Sequence, residues 1–125
     1  MGDKNILIVD EERFSRICSA LLASQGYATE LFTNIEDLPR SLSNNEFGLI
    51  LISYPYGAFL LNELKKWDIA TLILTDTLDG RLMNLLNGFS NSYCMIKPID
   101  YEKFRSLVHD VMSDTCTMQE GYNIV

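Results

Sequence analysis

Residues 49–53 read Leu-Ile-Leu-Ile-Ser, four unbroken apolar positions closed by a hydroxyl. A strand with one wet face alternates polar with apolar residues. Four apolar residues in succession suit a strand covered on both faces, as inside a parallel sheet. Outward from this stretch, comparable runs occupy 6–9, 27–32, 71–74 and 93–96, so five strands are expected.

Helix-type segments separate the runs. Phe14, Ile17, Cys18, Leu21 and Leu22 form a stripe at spacings of three and four, with Gly26 as a stop. The second segment contains Pro39, which is tolerated only in a first turn. Thr33 with Glu36 as a capping box, or Asp37 as a later cap, would open it. The third covers about 58–67. The fourth follows Asp79 as cap, with Leu82, Met83, Leu85 and Leu86 inward and Gly88 near its end. The fifth follows Asp100 and carries Phe104, Leu107, Val108, Val111 and Met112 on one face. Five alternations of strand and helix predict an α/β, doubly wound, five-stranded parallel sheet with five helices, because parallel neighbours need crossovers. One domain is expected over 1–113, followed by a flexible tail over 114–125 that lacks helical periodicity.

Bulk composition narrows the function classes. The chain has 125 residues, 47% of them hydrophobic, enough for one domain with a proper core. Its 17 acidic and 10 basic residues give a net charge of -7, which repels phosphate backbones and argues against direct nucleic-acid binding. Cys18, Cys94 and Cys116 match no short metal-ligand spacing and fit a reducing cytosol. Cys18 and Cys94 read as core fillers, and Cys116 as the thiol open to reaction. No apolar run approaches the roughly 20 residues of a membrane span, and the N-terminus does not read as a signal peptide. A cytoplasmic protein is expected. Glycine-rich phosphate loops, His-Cys metal spacings and nucleophile-base pairs are not readable, so an enzyme is not expected.

In an open parallel sheet the functional crevice lies beyond the carboxyl ends of the strands. Asp10, Glu11 and Glu12 follow the first run, Ser53 the third, Thr75 and Asp76 the fourth, Lys97 and Pro98 the fifth. Carboxylates, a hydroxyl and a lysine at one edge suit a phosphoryl or divalent-cation pocket. Taken singly, each is as well explained by a solvated turn, a helix cap or ordinary loop chemistry.

In order and spacing, ILIVDEE, LILIS, LILTD and MIKPID resemble the receiver domain of bacterial two-component response regulators, over about residues 4–113. The resemblance implies the flavodoxin-like (βα)5 receiver fold and a place in phosphorelay signalling. It implies that Asp10 and Glu11 match the acidic pair that holds Mg2+. Thr75 would match the hydroxyl that senses the phosphoryl group and Lys97 the lysine that contacts it. Pro98 would follow a peptide bond that is usually cis. The face made by the fourth helix, fifth strand and fifth helix would be the partner and homodimer surface, near Tyr93, Asp100 and Tyr101.

The departures gather in the same pocket. Ser53 stands where the phosphate-accepting aspartate belongs, and a serine hydroxyl cannot form an acyl phosphate. Glu11 replaces a usual aspartate, Asp76 a small residue, and Cys94 an aromatic switch residue, with Tyr93 one place out of register. The loop after the third strand reads SYPYG and the segment behind it is shortened. A degenerate pocket of Asp10, Glu11, Ser53, Thr75, Asp76 and Lys97 is therefore expected, with weak or absent Mg2+ binding at Asp10 and Glu11. Lys97 would pair with Asp10 in place of the cation, or with Asp76. The expected function is a pseudo-receiver acting through protein partners without phosphorylation. The alternatives are a small-molecule or ion sensor in the vacated pocket, or phosphorylation at another residue such as Asp76. Tyr54 and Tyr56 would either contact a partner or pack over the shortened helix, and His109 reads as a surface histidine.

Overall fold

In a computed structural model of the chain, residues 5–32, 47–67, 69–89, 91–113 and 122–124 are described below. The apolar runs become β1 (Asn5–Val9), β2 (Thr29–Leu31), β3 (Phe47–Tyr54), β4 (Ala70–Thr75) and β5 (Ser92–Ile96). All pair in parallel, in the order β2-β1-β3-β4-β5. β3 is central, and every residue from Leu49 to Tyr54 is buried, as an uninterrupted apolar run requires.

The described helices are α1 (Glu12–Ala23), α2 (Ala58–Leu64), α3 (Gly80–Leu86) and α4 (Tyr101–Met112). The second helix-type segment of the sequence, with Thr33, Glu36, Asp37 and Pro39, lies outside the described residues. Asp79 caps α3 by accepting the Leu82 N–H at 2.8 Å, and Asp100 caps α4 by accepting those of Glu102 and Lys103. Gly26 follows α1 at φ +93°, a conformation that costs a side-chain residue dearly, which is why the helix stops there. α2 is shorter than expected and ends at Leu64, with Lys65 to Trp67 in turns.

Two cores flank the sheet. Cys18 and Leu22 of α1 pack with Phe104 and Val108 of α4 against Ile6, Ile8, Leu49, Leu51, Leu72, Tyr93 and Met95. On the other face Leu60, Leu61 and Leu64 of α2 and Leu82 and Leu86 of α3 pack against Ile50, Ile52, Ile73 and Cys94. Each fully buried leucine contributes about 2 kcal/mol through burial.

Two expectations are corrected. Ile17 does not face the core and is 49% exposed, whereas Ser15 is buried with its hydroxyl donating to the Asp10 carbonyl at 3.0 Å. A short sixth strand, β6 (Tyr122–Ile124), pairs in parallel with the outer edge of β5, so these three residues are not a free tail. Residues 114–121, Cys116 among them, lie outside the described ones.

Candidate functional site

β1, β3, β4 and β5 end together, and their ends frame a cavity of about 450 Å³. Asp10, Glu11, Ser53, Asp76 and Lys97 all line it, joined by Phe14, Tyr54, Pro55 and Tyr56. Five of the six expected pocket residues are thus brought together. Thr75 is not among the lining residues. It is buried, and its hydroxyl donates to the Thr77 carbonyl at 2.7 Å, bracing the loop after β4.

The inner wall is built on Ser53 and Lys97. Ser53 ends the apolar run of β3 and is 4% exposed. The Lys97 N–H donates to the Thr75 carbonyl at 2.7 Å, which ties the end of β5 to β4. From there the side chain reaches inward and its Nζ donates to Ser53 Oγ at 3.0 Å. The ammonium also sits 4.7 Å from the centre of the Phe14 ring, within range of a cation–π attraction. The Lys97–Pro98 bond is cis, as the resemblance implies, and so is Tyr54–Pro55.

Among the described residues no ion pair joins Lys97 to Asp10 or Asp76, so the expected direct pairing is not formed. A buried hydroxyl lies nearer and takes the bond instead. Asp10 nevertheless feels the lysine. Burial pushes its pKa up, and the Glu11 N–H, the Lys97 charge and the Ser53 hydroxyl, in that order, partly offset the rise. The Glu11 N–H donates to Asp10 Oδ1 at 2.7 Å, which holds the carboxylate against the start of α1.

The outer wall is solvated. Glu11 and Asp76 are exposed, and Tyr56 is 49% exposed. Tyr54 and Tyr56 part company: Tyr54 belongs to the core over α2, and only Tyr56 faces outward. Between them the SYPYG loop is drawn tight, the Gly57 N–H donating to the Ser53 carbonyl at 2.6 Å. A Cβ on Gly57 would collide with the Ile52 side chain and lie 3.1 Å from the Ser53 carbonyl oxygen.

A hard divalent cation needs several converging oxygens. Among the described residues no three acidic, histidine or cysteine side chains are grouped to hold a metal. One Asp10 oxygen is already committed to the Glu11 N–H, and the Ser53 oxygen accepts the Lys97 ammonium. This donor set does not fit a dedicated Mg2+ site. Cys94 is fully buried with its thiol pushed up to about 11, and burial pushes Cys18 up to about 12. His109 is exposed on α4, 3.7 Å from Asp110, in keeping with a surface histidine.

Phe14, Tyr54, Pro55 and Tyr56 line the site although motif reading did not assign them to the pocket. Phe14 stands four positions after Asp10, in the first turn of the helix that follows the acidic cluster. That spacing places it at the same sheet edge.

No protein-family model matches the sequence, and no curated protein matches it. Solved structures do. A CheY-like response regulator receiver domain protein from Methanospirillum hungatei is 19% identical with a TM-score of 0.72, over 90% of this chain and 96% of that one. The receiver domain of a sensor histidine kinase from Pseudomonas aeruginosa, which has a magnesium ion coordinated in its active site cleft, is 20% identical with a TM-score of 0.69. That match covers 90% of this chain and 99% of the other. An orphan response regulator of H. pylori is 12% identical with a TM-score of 0.68, over 89% of this chain and 98% of that one. With its parallel sheet, its helices on both faces and its pocket at the strand ends, the chain has the fold of response-regulator receiver domains.

Proposed function

We propose that this receiver-like domain is a pseudo-receiver, a cytoplasmic signalling module that acts by binding protein partners without aspartyl phosphorylation and is not an enzyme. One observation carries the reading: the Lys97 ammonium donates to Ser53 at 3.0 Å, where the resemblance expects a phosphate-accepting aspartate. The hydroxyl cannot form an acyl phosphate. The ammonium supplies a fixed positive charge beside Asp10, and the pocket is held in one arrangement. Any Mg2+ at Asp10 and Glu11 binds weakly. The partner surface is the face of α3, β5 and α4, where Ile96 and Tyr101 are exposed.

Incubation with acetyl phosphate and Mg2+ tests this. The intact mass is expected to stay unchanged. A hydroxylamine-labile gain of about 80 Da, one phosphoryl group, would overturn the reading and point to Asp76 as the acceptor. Ser53→Asp is also expected to remain unlabelled, because Glu11, Asp76 and the SYPYG turn still depart from the receiver pattern.

The cavity supports a second reading. Its volume of about 450 Å³ lies within the range of small-molecule sites. The carboxylates of Asp10, Glu11 and Asp76 and the exposed ring of Tyr56 suit a neutral or cationic ligand. In a thermal-shift screen of metals and nucleotides, a rise in midpoint that Tyr56→Ala abolishes would establish the sensor; no rise at millimolar ligand would remove it.

A further inference from the structure

The connection from β5 to β6 has the opposite hand to the other crossovers described. α1 and α4 share one face of the sheet, and α2 and α3 share the other. The chain steps from β1 to β2 with its helix on the first face. It steps the other way, from β3 to β4 and from β4 to β5, with its helices on the second face. These units all have the same hand, the right-handed one that about 98% of parallel crossovers adopt. From β5 to β6 the chain keeps moving in the β3-to-β5 direction, but its helix, α4, lies on the first face. Within a single chain that unit is left-handed.

The rule constrains a strand only when it is delivered by its own crossover. A strand delivered by a second copy of the chain escapes it, while the ladder with β5 stays the same. Eight residues, 114–121, separate α4 and its cap Ser113 from β6. Fully extended they reach about 26 Å, enough to cross to a neighbouring molecule.

The surface at this edge suits such a neighbour. Cys94 is in register with Ile124, so the two share a face of the sheet, and Ile96, two positions on from Cys94, shares it too. Ile96 is 41% and Ile124 48% exposed, and Tyr101 at the start of α4 is 53% exposed. Apolar side chains exposed along a sheet edge, Ile96 and Ile124 among them, are better covered than left to water.

We propose that Tyr122–Ile124 is exchanged reciprocally between two copies, each lending its strand to the β5 edge of the other in a two-fold dimer. This does not rest on the phosphorylation reading. The test combines light scattering on the full chain with a disulfide trap. Ile124→Cys, in a Cys116→Ser background, places a thiol in register with Cys94, at a Cα separation a disulfide can span.

The expected result is a mass twice the 14.2 kDa of one chain, and after copper-phenanthroline oxidation a peptide map linking Cys94 of one chain to the introduced thiol of the other. A monomeric mass overturns the proposal. So does a dimer whose Cys94 link lies within one chain, because its strand is then held at home. A dimer with no link to Cys94 also overturns it, since β6 would then not lie beside β5.

Discussion

The two walls of the cavity each carry a charge and an aromatic ring, and hold them in opposite ways. On the inner wall a lysine, a serine and a phenylalanine hold one another, with Ser53 nearly sealed from solvent. On the outer wall Glu11, Asp76 and Tyr56 stand in water. A paired group removed from a partly dry site leaves its partner unsatisfied, whereas a solvated charge has little to lose. The inner wall therefore belongs to the architecture, and the outer wall is free to meet whatever the domain binds.

The largest effect should come from the turn that joins the walls. Gly57 sits where a Cβ would meet Ile52 and crowd the Ser53 carbonyl. Gly57→Ala is expected to destabilise by about 1–3 kcal/mol through overpacking, read as a lower urea midpoint. Unchanged stability would mean that the SYPYG turn yields freely and that the inner wall is less rigid than its contacts suggest.

Next comes Lys97→Ala. It removes a charged hydrogen bond to Ser53 and the contact with Phe14, and leaves Asp10 without its nearby cation. A loss of about 1–2 kcal/mol is expected. Lys97→Arg should recover only part of it, because a planar guanidinium does not reproduce a point contact with one hydroxyl. On the outer wall, Asp76→Asn should change stability by less than about 0.5 kcal/mol. A larger change there would erase the contrast between the walls.

That contrast was only half legible in the sequence. Unbroken runs such as LILI and TLIL announce buried parallel strands. The strand-end rule then brings Asp10, Ser53, Asp76 and Lys97 to one edge without any further information. Asp79 and Asp100 announce their helices because capping is local chemistry. The choice of partner for Lys97 is different. It turns on an ångström or two between a hydroxyl and a carboxylate, which no spacing in the chain encodes. Thr75 turns to the Thr77 carbonyl for the same kind of reason. Ser15 and Ile17 trade places because a buried hydroxyl can be satisfied by the Asp10 carbonyl, a bond that periodicity does not register. Three residues of β6 carry too little pattern to announce a strand, so the sequence alone predicts a flexible tail there.

The smallest effect is a matter of sign, and it falls on Asp10, between the two walls. Burial raises its pKa above the ordinary 3.8, while the Glu11 N–H, Lys97 and the Ser53 hydroxyl pull the other way. Below the unfolded value both states hold the proton, and Asp10 contributes no pH dependence. As pH rises the unfolded chain ionises first while the folded one still holds its proton. Stability then falls until pH passes the folded pKa, and levels off. Asp10→Asn removes that fall, so near neutral pH the variant should be slightly more stable than the parent, by about 2 °C or less in midpoint. The two should converge at about pH 3, where the parent carboxyl is protonated in both states. If the variant instead melts lower near neutrality, the attraction of Lys97 outweighs burial. Asp10 would then have to be counted with the inner wall, as the third member of a bonded set and not as a charge the pocket merely tolerates.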